Sequence, residues 1–331
     1  MDAGSLRWEL EVGMRAVREA AAVCRAVQAG ITREVVEKKD RSPVTLADWG
    51  SQALACRTIL EAFPDDPIVA EEDAASLREP GSEALLARLE AIVAGVRPGA
   101  CASEICDWID CGASPAPQAR FWTLDPIDGT KGFLRREQYA IALALLVDGR
   151  AELAVLGCPG LATDPSRPDE VGALFAAVRG CGAFCLPLWR QDAATTPVRA
   201  SRTAQPAGAR FCEPVEAGHS SHDDAARIAT LCGIACEPLR MDSQAKYAAV
   251  ARGHADIYLR LPKAEGYCEK IWDHAAGMLV VEESGGCVTD VAGKPLDLSC
   301  GRELTANRGI VATNGLLHDR ILGAIRELGI G

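Results

Sequence analysis

Apolar side chains recur at spacings of three and four along residues 6–29, at Leu6, Leu10, Met14, Val17, Ala21 and Cys24. That period predicts an amphipathic helix, and Gly30 is a natural stop. Ser42-Pro43-Val44-Thr45 reads as an extended turn, with Thr45 capping a helix from Leu46 to Ala62. After a turn at Pro64–Pro67, Ile68-Val69-Ala70 predicts a short strand that ends on Glu71 and Glu72. Ser82–Gly95 is a second helical stretch, and residues 96–118, with Gly, Pro and small side chains, read as loop. Phe121–Leu124 predicts a strand that delivers Asp125 and is then halted by Pro126. Tyr139–Val147 and Ala151–Gly157 form two strands joined at Asp148-Gly149, a strong hairpin signal. Ala173–Val178 and Ala183–Leu186 repeat that pattern around Arg179-Gly180-Cys181-Gly182.

Residues 187–210 are rich in Pro, Ala, Thr and Arg and mark a boundary. Beyond it, helices are predicted over His222–Cys232, Ser243–Arg252 and Asp273–Ser284, the last ended by Gly285-Gly286. Strands are predicted over Ala255–Leu261, Cys287–Asp290 and Ile310–Thr313. The expected architecture is layered helix and sheet in two halves, α+β over residues 1–190 and α/β over residues 191–331.

Composition narrows the function. A chain of 331 residues can bury a core without disulfide staples, and 48% apolar with 24% charged residues excludes wholesale disorder. Lys and Arg number 35 against 46 Asp and Glu, a formal net charge of −11. Such a chain is a poor generic binder of nucleic acid or anionic membrane, and an anionic substrate would need local cations. The longest apolar run, Tyr139–Val147, is nine residues, about half a membrane span. Met1–Ser5 lacks the basic start and apolar stretch of a secretory leader, so a cytoplasmic protein is expected. An organelle lumen is the alternative if a transit peptide has been removed. The 14 cysteines contain no C-x-x-C pair, which argues against structural zinc and for reduced thiols. A redox-sensitive pair, if there is one, is expected within Cys101–Cys111.

The chemistry concentrates in Trp122-Thr123-Leu124-Asp125-Pro126-Ile127-Asp128-Gly129-Thr130. Two carboxylates beside a backbone turn suit a hard divalent cation such as Mg²⁺. The Gly129 and Thr130 amides can hold a phosphate oxygen. Asp48, Glu71, Glu72 and Asp273 also fall at predicted element ends, as a split metal cluster would need. A second, charge-binding set lies further on. Ser243 and Lys246 are expected on one face near a helix start, Arg260 at a strand end, and Ser220-Ser221-His222 at another helix start.

Asp125-Pro126-Ile127-Asp128-Gly129-Thr130, with the later Trp272-Asp273-His274-Ala275-Ala276-Gly277, resembles the two signatures of the lithium-sensitive, Mg²⁺-dependent phosphatases. That superfamily includes inositol monophosphatase and fructose-1,6-bisphosphatase. Lys39–Thr45, Phe121–Phe133, Met241–Tyr247, Tyr258–Pro262 and Glu269–His274 are similar to the 3′(2′),5′-bisphosphate nucleotidase branch, over roughly residues 10–315. The resemblance implies a layered αβαβα sugar-phosphatase fold with two or three Mg²⁺ ions between the halves. It assigns Asp48, Glu71, Asp125, the Ile127 carbonyl, Asp128 and Asp273 to metal positions, with Glu72 ranked below Glu71. Asp48 and Thr130 fall on the positions that activate the attacking water. His222, Ser243, Lys246 and Arg260 match nucleotide-contacting positions, with His219 close enough to compete for the histidine's role.

The implied reaction is hydrolysis of the 3′-phosphate of adenosine 3′,5′-bisphosphate (PAP) to AMP and phosphate, with 3′-phosphoadenylyl sulfate (PAPS) as a second substrate, in sulfur metabolism. The enzyme is expected to be a lithium-sensitive monomer without nucleic-acid or membrane partners. The alternatives are an inositol polyphosphate or sugar phosphatase and, less favoured, a nucleotide sensor that no longer turns over.

Overall fold

A computed structural model describes residues 6–30, 42–114, 118–215, 222–262 and 267–330, apart from the side chains of 42–44 and 222. Helices α1 (Arg7–Ala29) and α2 (Ser42–Ala62) lead into β1 (Ile68–Ala70), followed by α3 (Glu83–Val96) and α4 (Ala102–Asp110). Then come β2 (Arg120–Asp128), α5 (Thr130–Arg135), β3 (Ala140–Val147), β4 (Arg150–Ala162), β5 (Val171–Val178), β6 (Gly182–Pro187) and β7 (Thr196–Val198). The second part holds β8 (Phe211–Glu213), α6 (His222–Cys232), β9 (Leu239–Arg240), α7 (Ala245–Ala251) and β10 (Ile257–Arg260). It ends with α8 (Ala275–Glu283), β11 (Cys287–Thr289), β12 (Ile310–Thr313) and α9 (His318–Glu327).

Strands β1 to β7 form one seven-stranded sheet in chain order, and a five-stranded sheet runs β11-β12-β10-β8-β9. Side-chain alternation along β3 explains how the layers stack. Ile141, Leu143 and Leu145 face a core shared with α1 and α2 (Val17, Ala20, Leu54, Ile59). Ala140, Ala142 and Ala144 face the other way, onto α7 and α8 (Tyr247, Val250, Leu279, Val280). That same cluster takes in Tyr258 and Ala312 from the second sheet. The opposite face of the second sheet, Phe211, Ile257, Leu259 and Val311, packs on Ile228 of α6 and on Ile321 and Ile325 of α9. The order is therefore helix, sheet, helix, sheet, helix. Strand β3 reads as an unbroken apolar run because both its faces are covered.

The hairpin at Asp148-Gly149 forms as expected, with φ of 49° and 74° at those residues. Several boundaries differ from the sequence reading. Helix α2 begins at Ser42, so Ser42–Thr45 is helical rather than extended and Thr45 lies inside the helix. Proline is tolerated there because the first helical turn has no intrahelical partner for its missing N–H. Residues 96–118 are not all loop: α4 turns Ile105, Cys106 and Ile109 inward, and the Glu104 carboxylate accepts the Cys101 N–H at its start (3.1 Å). Pro126 does not halt β2, which continues to Asp128 across a bulge. Helix α9 has no counterpart in the sequence reading.

All 14 cysteines are free thiols, and half of them are buried. The expected pair within Cys101–Cys111 does not hold. Cys101 and Cys111 flank opposite ends of α4, about 15 Å apart at 1.5 Å per residue. Cys106 lies five residues from each, about 7.5 Å of axial rise, beyond the roughly 7 Å Cα limit of a disulfide. No described helix is long and apolar enough to cross a membrane.

Candidate active site

The acidic residues meet where the β1–β2 ladder ends and β2 runs on to Asp128. The two strands run parallel, with Ile68 opposite Trp122 and Ala70 opposite Leu124. One step further in that register brings Glu71 beside Asp125, and their carboxyl groups lie at hydrogen-bond distance. Beyond Asp125 the ladder slips: Asp125 pairs with Ala142 and Asp128 with Ala140, so Pro126-Ile127 carries one extra residue. The bulge re-aims the chain, and Gly129, at φ 90°, turns it into α5. A side chain at Gly129 would sit 2.8 Å from the Cβ of Ser243, so both conformation and close approach require glycine there.

Helix α2 supplies three residues to this corner at positions i, i+3 and i+4 of one face. Asp48 is buried. Ser51 donates its hydroxyl to the Pro126 carbonyl (2.9 Å), holding the bulge. Gln52 donates to the Glu72 carbonyl (2.7 Å) and accepts the Glu72 N–H (3.0 Å), clamping the chain just past β1. From the second half, Gln244 donates its backbone N–H to Asp128 (2.6 Å) and its amide to the Trp272 carbonyl (2.9 Å). It thereby joins the Asp128 turn to the segment carrying Asp273. Sequence reasoning missed Ser51, Gln52 and Gln244. The spacing of Ser51 and Gln52 from Asp48 was the available signal for two of them.

Electrostatics show how tightly the acids crowd. Burial raises the Asp125 pKa well above the carboxylate range, with repulsion from Glu71, Asp128, Asp273 and Asp48 added. Burial, then Glu72 and Glu71, does the same to Asp48. Glu71 opens onto solvent, yet loss of water around its carboxylate, with Glu72, Asp273 and Asp128 nearby, pushes it up to about 8. Asp128 is raised by burial and Asp273, opposed by Lys246, Arg260 and the Gln244 N–H. Asp125 Oδ1 is buried with no hydrogen-bond partner among the described residues. An orphaned carboxylate oxygen inside a group of repelling acids fits a hard divalent cation, which takes oxygen ligands. Thr130 is exposed at the first residue of α5, and the Ile127 side chain is buried between the two aspartates.

The second charge set lies alongside, with two changes from expectation. Ser243 is not on the helix. It precedes α7 in a left-handed conformation (φ 66°), because the chain must turn there against Gly129. Asp273 ends a 3₁₀ turn, Ile271–Asp273, ahead of α8 rather than starting that helix. Lys246 is buried in the first turn of α7, its ammonium 5.2 Å from the Tyr258 ring centre, and burial lowers its pKa against the pull of Asp128. Arg260, at the end of β10, bonds Glu269 through Nε (2.7 Å) and Asp273 through Nη2 (3.1 Å). The fully buried His274 accepts or donates at both ring nitrogens, to Tyr247 (2.8 Å) and to Glu269 (3.1 Å). Glu269, Asp273 and His274 offer donor atoms within 4.8 Å of one another, but Arg260 and Tyr247 already engage them. His219, Ser220, Ser221 and the side chain of His222 lie outside the described residues, as do Lys39, Asp40 and Arg41.

A profile of the inositol monophosphatase family matches residues 8–329. The chain belongs to that family. Solved structures agree on the fold: an inositol monophosphatase from Anabaena has a TM-score of 0.60 at 22% identity, covering 97% of this chain and 96% of that one. Thermotoga maritima IMPase has a TM-score of 0.62 at 20% identity, covering 97% and 98%. Curated relatives are much nearer in sequence. The 3′(2′),5′-bisphosphate nucleotidase of Emericella nidulans is 43% identical, over 95% of this chain and 96% of its own length. That of Oryza sativa is 44% identical over 96% and 94%, and that of Schizosaccharomyces pombe 40% over 96% and 94%. Within the family, the group sharing this much sequence with the chain is that of the 3′(2′),5′-bisphosphate nucleotidases.

Proposed function

We propose that this protein is a phosphoric monoester hydrolase that removes the 3′-phosphate of PAP, giving AMP and inorganic phosphate. PAPS, which carries the same 3′-phosphate, is its second substrate, and the setting is sulfur metabolism. The observation that carries the phosphatase reading is the buried Asp125 carboxylate, unpartnered at Oδ1 and ringed by Glu71, Asp128, Asp273 and Asp48. The choice of nucleotide is supported by relatives at 40–44% identity over nearly the whole chain.

Glu71, Asp125, the Ile127 carbonyl, Asp128 and Asp273 would hold two or three Mg²⁺ ions, which when bound would neutralise phosphate charge and make water more acidic. Asp48, acting with the Thr130 hydroxyl, accepts the proton of the attacking water. Water attacks phosphorus, the bond to the 3′-oxygen breaks, and that oxygen leaves as a hydroxyl after taking a proton from solvent. The Gly129 and Thr130 amides orient a phosphate oxygen. Lys246 and Arg260, with Ser243 and His222, hold the rest of the nucleotide, and their charges offset the net −11 of the chain at this spot. In this reading the chain works as a lithium-sensitive monomer in the cytoplasm, residues 1–190 supplying most acids and residues 191–331 most nucleotide contacts.

Phosphate release from PAP, PAPS and inositol 1,4-bisphosphate, with Mg²⁺ and with or without Li⁺, tests the proposal. PAP is expected to be preferred and Li⁺ to inhibit. Preference for the inositol ester would overturn the choice of substrate.

A further inference from the structure

Arg302 connects the two acid-bearing segments, although it lies in neither. Its guanidinium donates to the Ala70 carbonyl, one residue before Glu71, and to the Gly112 carbonyl (3.4 Å). Its Cζ stands 4.7 Å from the centre of the Trp272 ring, one residue before Asp273. The two carbonyls themselves belong to one corner, since Ala70 donates its N–H to Gly112 (2.8 Å). A side chain at Gly112 would lie 2.6 Å from the Ala70 Cβ. The backbone of Arg302 is fixed from the other side: its carbonyl accepts the Ile271 N–H (3.0 Å), Leu304 donates to Glu269 (2.8 Å), and Lys270 pairs with Glu303. One residue therefore grips the first sheet through its fork and the Ile271–Asp273 turn through its flat face and its backbone. A guanidinium can do all three, because it is planar, always charged and able to donate from several nitrogens.

We propose that Arg302 is a positioning residue that sets the spacing between Glu71 and Asp273, and so the affinity of the acidic site for divalent cations. The inference rests on the metal-site reading above. Its hydrogen-bond partners are backbone carbonyls and its ring contact is an indole, so it orders the ligands without bonding their oxygens, although the Glu71 carboxylate feels its charge. Removing such support around a metal site lowers affinity by about 10–100-fold.

Three variants separate the possibilities: Arg302→Met, which keeps the stem and loses the fork; Arg302→Lys, which keeps charge without the flat face; and Glu71→Gln as a control on the site. Mn²⁺ binding is read by electron paramagnetic resonance, and the Mg²⁺ dependence of PAP hydrolysis alongside it. For Arg302→Met the metal concentration at half-saturation is expected to rise about tenfold, with kcat at saturating metal within about threefold of the parent. Arg302→Lys should fall between the two, and it carries the test if the methionine variant does not fold. Arg302→Lys and Arg302→Met binding Mn²⁺ like the parent, while Glu71→Gln binds it poorly, would overturn the role of Arg302. Unchanged binding in Glu71→Gln would instead overturn the metal-site reading on which it rests.

Discussion

The two charged groups of the active site are built on opposite terms. Around Asp125 burial comes first, and every charged group that acts on it is another acid. Around Arg260, a few residues away in space, charges are matched: Glu269 and Asp273 take its N–H groups, and His274 and Tyr247 brace Glu269 from behind. The first group is unsatisfied by the protein alone and calls for a cation from outside. The second is already satisfied, so it can present a guanidinium in a fixed direction.

The sharpest way to break that contrast is Asp125→Asn. PAP hydrolysis should fall by about 10³-fold or more, since several kcal/mol of charge stabilisation depend on the site. In metal-free buffer the same variant should unfold at a temperature about 2 °C or more higher, because the cost of burying or protonating that carboxylate on folding is gone. A drop in both quantities would show that Asp125 supports the fold rather than the ions. Arg260→Met should behave in the reverse sense. KM for PAP should rise about 10–100-fold with a smaller change in kcat, and thermal stability should fall, because buried Glu269 loses its cationic partner and keeps only His274. Steady-state kinetics and thermal unfolding on one preparation check both statements.

The smallest effect is a pH dependence. Glu71 rises from 4.5 to about 8 on folding. Its contribution to stability is therefore complete below pH 4.5 and is lost as pH rises through about 8. The metal-free protein should lose stability across that interval. Mg²⁺ should raise the unfolding temperature a few degrees more near the upper end than at about pH 5.5. Equal shifts at both pH values would mean that Mg²⁺ does not act through these carboxylates.

What could be read from the chain alone follows from which interactions are local. Strand β3 and its hairpin were legible because covered faces leave an apolar run and Asp148-Gly149 marks the turn. The crowding of Asp125, Asp128 and Asp273 was foreshadowed by two contiguous motifs, and that of Glu71 by its place just past β1. Helix α4 was not, because only Ile105, Cys106 and Ile109 of its nine residues are buried, too few to set a period. The passage of β2 through Pro126 depends on a bulge, which a proline rule for regular strands does not foresee. The work of Ser51, Gln52, Gln244 and Arg302 was hidden for a different reason. Each bonds to a main-chain group of a distant segment, and a carbonyl leaves no trace in residue identity.

The stacking order has one more consequence. Tyr247, Val280 and Leu279 of the middle helices belong to the same apolar cluster as Ala142 of the first sheet and Ala312 of the second. Swinging the sheets apart like a jaw would strip water-avoiding surface from all of them at once. Shared burial therefore ties the two sheets into one body, and any opening between them would have to expose both at the same moment.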